Sequence, residues 1–331
     1  MKPKITIIGC GAWATTIANH LCQNQIDVVM WAYKKDIVTE INQSHQRSKL
    51  PQLVLEKNLT ATTSFEVSLD KTTAIILCVP SKFLFTTLEL WKPYFNKTIP
   101  VLSLIKGIAS DTEMLLPHLI EQNLVDVKLA VLSGPNLASE IAFKKPAASV
   151  IASKDIEIAK IFQNYLSSSL FRVYTSTDII GVYCGGIVKN VIALASGCCD
   201  GLDLGFNTKA TLITRGLNDM IKFGMFMGAK KETFYGLSGL GDMVATAHSP
   251  LSRNYQYGLR LAKSQLNTTT KFNFNEIAEG VETTKRLAMF AKKNNINLPI
   301  VEIVNDVLNH NLKATEAITI LMNRKLKEES L

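Results

Sequence analysis

The sequence lacks the cysteine spacing of a zinc site: Cys10, Cys22, Cys78, Cys184, Cys198 and Cys199 contain no C-x-x-C pair. Several of them sit inside apolar runs, where a reduced cysteine behaves as a small hydrophobe, so a reducing cytoplasm is expected. The chain enters an apolar strand within four residues, which leaves no room for a signal peptide. Basic residues are never grouped beyond pairs such as Lys34-Lys35, Lys144-Lys145, Lys230-Lys231 and Lys292-Lys293. Despite a net charge of +8, that scatter argues against a nucleic-acid stripe and suits an anionic small molecule as well. The apolar stretch Ile179–Ala195 carries Lys189, Asn190 and two glycines, which makes a poor membrane span. There is no internal repeat and no low-complexity segment.

What is present is a chain of 331 residues, 47% hydrophobic and 19% charged, long enough for two domains. In the first half, apolar runs at 5–8, 28–31, 74–79, 101–105, 129–132, 148–151 and 171–174 alternate with helical stretches such as 36–42 and 111–122. Strands with helical crossovers imply a doubly wound, largely parallel α/β sheet of Rossmann type. After about Asp178 the strand signal stops. Helical patterns follow at 178–197, 208–226, 253–263, 281–294, 300–308 and 315–324. The expected organisation is a dinucleotide-binding domain over 1–177 and an all-α substrate domain over 178–331.

The stretch Ile5–Ala18 is the most informative. Four strand-forming residues run into Gly9-Cys10-Gly11-Ala12-Trp13-Ala14, and a helical pattern leaves it. This is a G-x-G-x-x-A turn. Gly9 permits the tight turn, Gly11 lets the backbone approach a pyrophosphate, and small Ala14 lets helix and strand pack closely. The helix N-terminus beyond it offers N–H groups and a positive dipole end to phosphates.

Ligands of such sheets bind outside the carboxyl ends of the strands. At the second strand's end, where an acid for the ribose hydroxyls is usual, this chain has Ala32-Tyr33-Lys34-Lys35, with Asp36 late. Either the lysines welcome an adenosine 2′-phosphate, favouring NADPH over NADH, or they are a solvated pair opening a helix. Lys106 and Gly107 follow a strand, as does Ser133-Gly134-Pro135-Asn136, with Asn136 close to a helix at 137–143. Lys106 either meets a phosphate or polarised oxygen or is a surface lysine.

In the second half Lys189 lies in an apolar helix, with Gly185, Gly186, Ala193 and Ser196 stripping one face of bulk. Interior helix glycines cost about 1 kcal/mol relative to alanine, so something is expected to come close there. A buried lysine has a lowered pKa and exchanges protons near neutrality; the alternative is a lysine snorkelling outward. Asn190 shares the same edge. Gly236–Gly241 reads as a glycine-rich loop ending in Asp242, without the G-K-[ST] of a Walker loop. Ser249 reads as a cap and Pro250 as the opening of a helix whose first turn holds Ser252, Arg253 and Asn254, a combination suited to a phosphate dianion.

Taken together, GCGAWA at Gly9, LIKGI around Lys106, SGPNLASEI from Ser133, GGIVKN, GLSGLGDM, SRN and AEGVETTK resemble the bacterial-type NAD(P)-dependent glycerol-3-phosphate dehydrogenase family over nearly the whole chain. The resemblance implies hydride transfer between NAD(P)H and dihydroxyacetone phosphate, with sn-glycerol 3-phosphate supplied to phospholipid synthesis, in a cytoplasmic homodimer. It implies Lys189 as proton donor and acceptor. It also implies substrate contacts at Lys106, Gly134, Asn136, Asp242, Ser252, Arg253 and Asn254, and cofactor contacts at Trp13, Tyr33, Lys106, Ala138, Arg253, Ile277 and Glu279. Ala14 replaces the family's usual glycine, and Asn136 stands where some members have threonine.

Overall fold

A computed structural model describes residues 2–109, 114–266, 279–326 and 328–329. Contacts divide the chain into Met1–Val182 and Tyr183–Leu331.

In the first unit, the elements run β1 (Lys4–Ile8), α1 (Ala12–Gln23), β2 (Asp27–Trp31), α2 (Lys35–Ser44), β3 (Leu59–Thr62), α3 (Phe65–Leu69) and β4 (Ala74–Leu77). They continue with α4 (Leu84–Trp91), β5 (Val101–Ser103), α5 (Leu116–Asn123), β6 (Leu129–Ser133), α6 (Ala138–Ala142), β7 (Ala147–Ser153), α7 (Ile156–Leu166) and β8 (Phe171–Ser176). The eight strands order as β3-β2-β1-β4-β5-β6-β7-β8, parallel throughout except where β7 turns antiparallel to β6. Strand order reverses between β1 and β4, the crevice where doubly wound sheets take their ligands.

Side-chain alternation explains the layering. Ile5, Ile7, Val28, Met30 and Ile76 join one apolar cluster with Ile17 and Leu21 of α1, Ile41 of α2, and Phe162 and Leu166 of α7. Alternate residues such as Ile8 and Leu77, also buried, face the other side.

Two expectations need correction here. Strand β3 has no counterpart among the apolar runs, because its sequence LTAT alternates buried and exposed positions. Of the helix expected over 111–122, residues 111–113 lie outside the described residues; Met114 and Leu115 are not helical, Leu115 being extended and bridged to Ile108, and the helix runs Leu116–Asn123, where Pro117 presets its first turn.

The last helix to start in the first unit is α8 (Ile179–Gly201), opened by Asp178, whose Oδ1 accepts the Gly181 N–H at 2.9 Å. It is long and apolar enough to cross a membrane by length and composition, yet 83% of its most apolar window is buried inside the chain. The second unit continues with α9 (Gly205–Phe226), α10 (Asp242–His248), α11 (Arg253–Leu266), α12 (Glu279–Lys293), α13 (Pro299–Leu308) and α14 (Ala314–Met322). Among its described residues there is no strand.

Glycines set how closely these helices pack. A Cβ at Gly197 would lie 2.0 Å from the Tyr255 carbonyl oxygen, and one at Gly258 1.9 Å from that of Leu194. At Gly201 it would meet the Ala262 methyl at 2.7 Å. α8 and α11 therefore touch almost backbone to backbone. Helix α13 is capped from a distance: Asp219 on α9 accepts the N–H groups of Ile300 at 2.8 Å and Val301 at 3.3 Å. Burial pushes the Asp219 carboxyl up to about 7, against those hydrogen bonds.

The segment read as a glycine loop before Asp242 is also helical. Gly241 N–H reaches the Gly236 carbonyl at 3.1 Å, closing one π-type turn over Leu237–Gly241 that runs into α10.

Candidate active site

The first unit presents its candidate residues at the carboxyl ends of the parallel strands. Gly9 has φ +132°, and a Cβ there would fall 2.2 Å from the Cys78 carbonyl oxygen, just past β4. The turn is thus pressed into the crevice between β1 and β4. Gly11 differs: its φ is −73° and a Cβ would meet no protein atom within 4 Å. Protein packing does not require a glycine there, so the position is open to a ligand. Helix α1 begins at Ala12 with no side-chain cap and no acid in its first turn, so its N–H groups suit an anion. Ala14 is fully buried, and Trp13 packs beside the apolar cluster.

Arg47 joins this turn, a residue the sequence reading missed. It is 3% exposed, donates from Nη2 to the Cys10 carbonyl at 3.0 Å and pairs with Glu40. Nothing in its loop position, between α2 and β3, singles it out in the sequence. Burial pushes the Cys10 thiol up, with the Arg47 charge opposing. Tyr33 stands 65% exposed just past β2, with the Lys34 ammonium 5.5 Å from its ring centroid. Lys34 precedes α2 as its N-cap residue.

Lys106 lies three residues beyond β5, half-buried behind buried Leu104 and Ile105. One strand over, the β6–β7 register sets Ser133 against Val150, and carried one step further it brings Gly134 against Ser149. Gly134 has φ +148°, and its Cβ would lie 2.9 Å from Ser149 Cα. The close approach at Gly134 is therefore to the chain's own β7. Because β7 runs antiparallel, its early residues return to the ligand edge. There the Ser149 hydroxyl donates to Asn136 Oδ1. The Asn136 Nδ2 is enclosed with no acceptor among the described residues, a demand that a ligand oxygen would meet. Ala138 opens α6 and accepts the Thr16 hydroxyl of α1 at 3.2 Å, tying this turn to the glycine turn.

In the second unit Lys189 is 9% exposed, and its Nζ donates to Asp242 Oδ1 at 2.5 Å. Asp242 is 1% exposed and also accepts from the Thr246 hydroxyl at 3.3 Å. Lys189 does not snorkel. The element that comes close to the bare face of α8 is the π turn: a Cβ at Gly185 would lie 2.3 Å from the Ser238 carbonyl oxygen. Gly185 thus delivers Asp242 to Lys189 by letting the two backbones meet.

Beside this pair, three helices converge. Asn254 Oδ1 accepts the Gly280 N–H at 2.9 Å, and a Cβ at Gly280 would lie 3.0 Å from the Asn190 carbonyl oxygen. Asn190, Asn254 and Glu279 are thereby gathered, with Glu279 the first residue of α12. Ile277 lies outside the described residues. The start of α11 differs from expectation. Ser252, not Ser249, is the cap: its Oγ accepts the Tyr255 N–H at 3.2 Å, and Ser249–Ser252 forms a turn closed at 3.0 Å. Pro250 belongs to that turn. Arg253 is the first helical residue and is exposed, while Ser252 and Asn254 are buried. The N–H groups of Arg253 and Asn254 have no intrahelical partner by helix geometry, which suits an anion held by Arg253. Ser149, Thr246 and Arg47 are the polar neighbours that no motif announced.

A parallel sheet with a glycine turn at its reversal point, followed by a helical unit that buries a lysine–carboxylate pair, defines a dinucleotide-dependent dehydrogenase. Models of the NAD-dependent glycerol-3-phosphate dehydrogenase N-terminus and C-terminus match residues 4–159 and 178–319. Glycerol-3-phosphate dehydrogenase (NAD(P)+) of Corynebacterium diphtheriae is 40% identical over 98% of this chain and all of its own length. The Corynebacterium glutamicum protein of that name is 38% identical, over 98% of this chain and 99% of its own. The crystal structure of glycerol-3-phosphate dehydrogenase from Coxiella burnetii superposes with a TM-score of 0.90 at 34% identity, covering 98% of this chain and 99% of that one. A D-mandelate dehydrogenase at 15% identity and TM-score 0.61 shares the fold alone. The chain belongs to the NAD-dependent glycerol-3-phosphate dehydrogenase family.

Proposed function

We propose that this enzyme reversibly reduces dihydroxyacetone phosphate to sn-glycerol 3-phosphate, working as a cytoplasmic homodimer that supplies phospholipid synthesis, with residues 1–177 binding the dinucleotide and 178–331 the substrate. The buried Lys189–Asp242 pair carries this reading, since it holds an acid where a forming alkoxide would need one. When bound, the reduced nicotinamide supplies the hydride to the ketone carbon. Gly11 and the N-terminus of α1 hold the diphosphate of the cofactor, with Gly9, Ala12, Trp13 and Ala14 shaping the turn and buried Arg47 bracing it through the Cys10 carbonyl. Tyr33 offers its exposed ring to the adenine, and Lys34 its ammonium to a 2′-phosphate, which favours NADPH. Ala138 and Glu279 border the cofactor.

Lys189 Nζ donates the proton that the alkoxide oxygen gains and recovers it in the reverse direction, while Asp242 holds that amine in place. Arg253, with the Ser252–Asn254 end of α11, binds the phosphate dianion through its guanidinium fork. Lys106, Gly134, Asn136 and Asn190 supply further substrate contacts in this reading. The test is nicotinamide absorbance in the presence of NADPH and dihydroxyacetone phosphate. A fall with 1:1 formation of glycerol 3-phosphate supports the proposal; turnover only with unphosphorylated hydroxy or keto acids overturns it.

A further inference from the structure

The second unit carries a half-open cavity of about 1070 Å³ among the later half of α8, α9, α11, α13, α14 and the segment after it. Its volume is at the upper end for small-molecule sites. None of Lys189, Asn190, Asp242, Arg253 or Glu279 lines it. Its walls are mostly aliphatic, and Leu202, Leu204, Ile303, Leu308, Ile318 and Leu321 are only half-buried by the chain itself. Six such side chains facing one space leave apolar surface whose covering is worth about 25 cal/mol per Å².

The charged part of the lining is mostly cationic, with Arg215, Lys222, Arg324 and Lys325 against Asp219, while Asn207, Thr208, Thr211, Asn218 and Asn297 are its neutral polar groups. Asp219, its carboxylate, is already engaged by the backbone of α13. Arg215 gives Nη2 to Glu329 at 2.9 Å, but its Nη1 is enclosed with no acceptor among the described residues. An enclosed, unanswered guanidinium nitrogen is costly. A carboxylate would satisfy it, and the extent of aliphatic wall beyond it suits a hydrocarbon chain.

We propose that this cavity binds a long-chain fatty acid, its hydrocarbon tail along α13 and α14 and its carboxylate at Arg215. A dansyl-labelled undecanoate, kept below its micellar concentration and titrated into the whole enzyme, is expected to bind with one site per chain. Unlabelled fatty acids of eight to sixteen carbons should displace it. Affinity should rise up to about four-fold per added methylene, the ~0.8 kcal/mol of a buried CH₂. The alkylamine of equal length should bind at least ten-fold more weakly. Ile318→Trp and Ile303→Trp, which fill the cavity from half-buried positions, should each weaken the probe ten-fold or more, with circular dichroism confirming the fold. Arg215→Gln, which does not repack the walls, should erase the preference for carboxylate over amine. The proposal is overturned by no saturable binding to the wild-type enzyme, by indifference to chain length or head charge, or by unchanged affinity in folded tryptophan variants. It is also overturned if those variants sediment as smaller species, because the cavity would then seat a second copy of the chain.

Discussion

Lys189 of α8 and Asp242 of α10 stand 53 positions apart in the chain and meet as a buried ion pair. Removing one partner from such a pair leaves an uncompensated charge and costs about 3–5 kcal/mol. Lys189→Met and Asp242→Asn are therefore each expected to lower thermal stability sharply. The double variant should recover most of it, because a neutral pair replaces the orphaned ion. Activity should not recover: general acid catalysis is worth about 10²–10⁴-fold, and kcat should stay down by at least that. Chemical denaturation and steady-state kinetics on the three variants separate the two roles. Restored turnover in the folded double variant would remove Lys189 from the chemistry.

The two glycines of the first turn should respond differently to alanine. Gly9→Ala meets both a positive φ and the Cys78 carbonyl, so the protein should be destabilised or fail to accumulate. Gly11→Ala meets open space at an ordinary φ, so its unfolding midpoint should match the wild type while the KM for NAD(P)H rises. Unchanged cofactor KM in Gly11→Ala would show that no diphosphate approaches that position.

For the phosphate of the substrate, Arg253→Ala should raise the KM for dihydroxyacetone phosphate, with a smaller effect on kcat. Arg253 is exposed and makes the first turn of α11 without capping it, so the fold should be indifferent. Lys34→Glu should shift preference from NADPH toward NADH, read as the ratio of kcat/KM values.

Asp219 gives a pH signature. Its folded carboxyl titrates at about 7 against an ordinary value of 3.8, so the folded state binds the proton more tightly than the unfolded chain. The stability from this group is complete below about pH 4 and is lost as pH rises through 7. At 1.36 kcal/mol per pKa unit the loss is on the order of 4 kcal/mol. Asp219→Asn keeps an acceptor for Ile300 and Val301, so it should flatten that decline and exceed the wild type in stability at pH 8. Denaturant midpoints across pH 4–8 measure it.

The parts legible from sequence are those where one local signal suffices. β1 and α1 are announced by four strand-forming residues, a glycine pair and a 3.6 period, and Lys189 by its apolar surroundings. β3 was hidden because a short strand with exposed threonines resembles a loop. Ser249 and Ser252 satisfy the same capping rule three residues apart, and only the backbone path decides between them. The glycines before Asp242 signal a loop in the sequence; their π turn is held by packing against Gly185 and Phe234, which no local pattern encodes. Ser149 reaches Asn136 through the register of an antiparallel strand, a long-range fact.

The bare seam between α8 and α11 has a consequence for genetics. Any side chain at Gly197, Gly201 or Gly258 wedges the helices apart, so substitutions there will score as loss of function in an activity screen, alongside true catalytic lesions. Only the amount of soluble protein will tell the two kinds of defect apart.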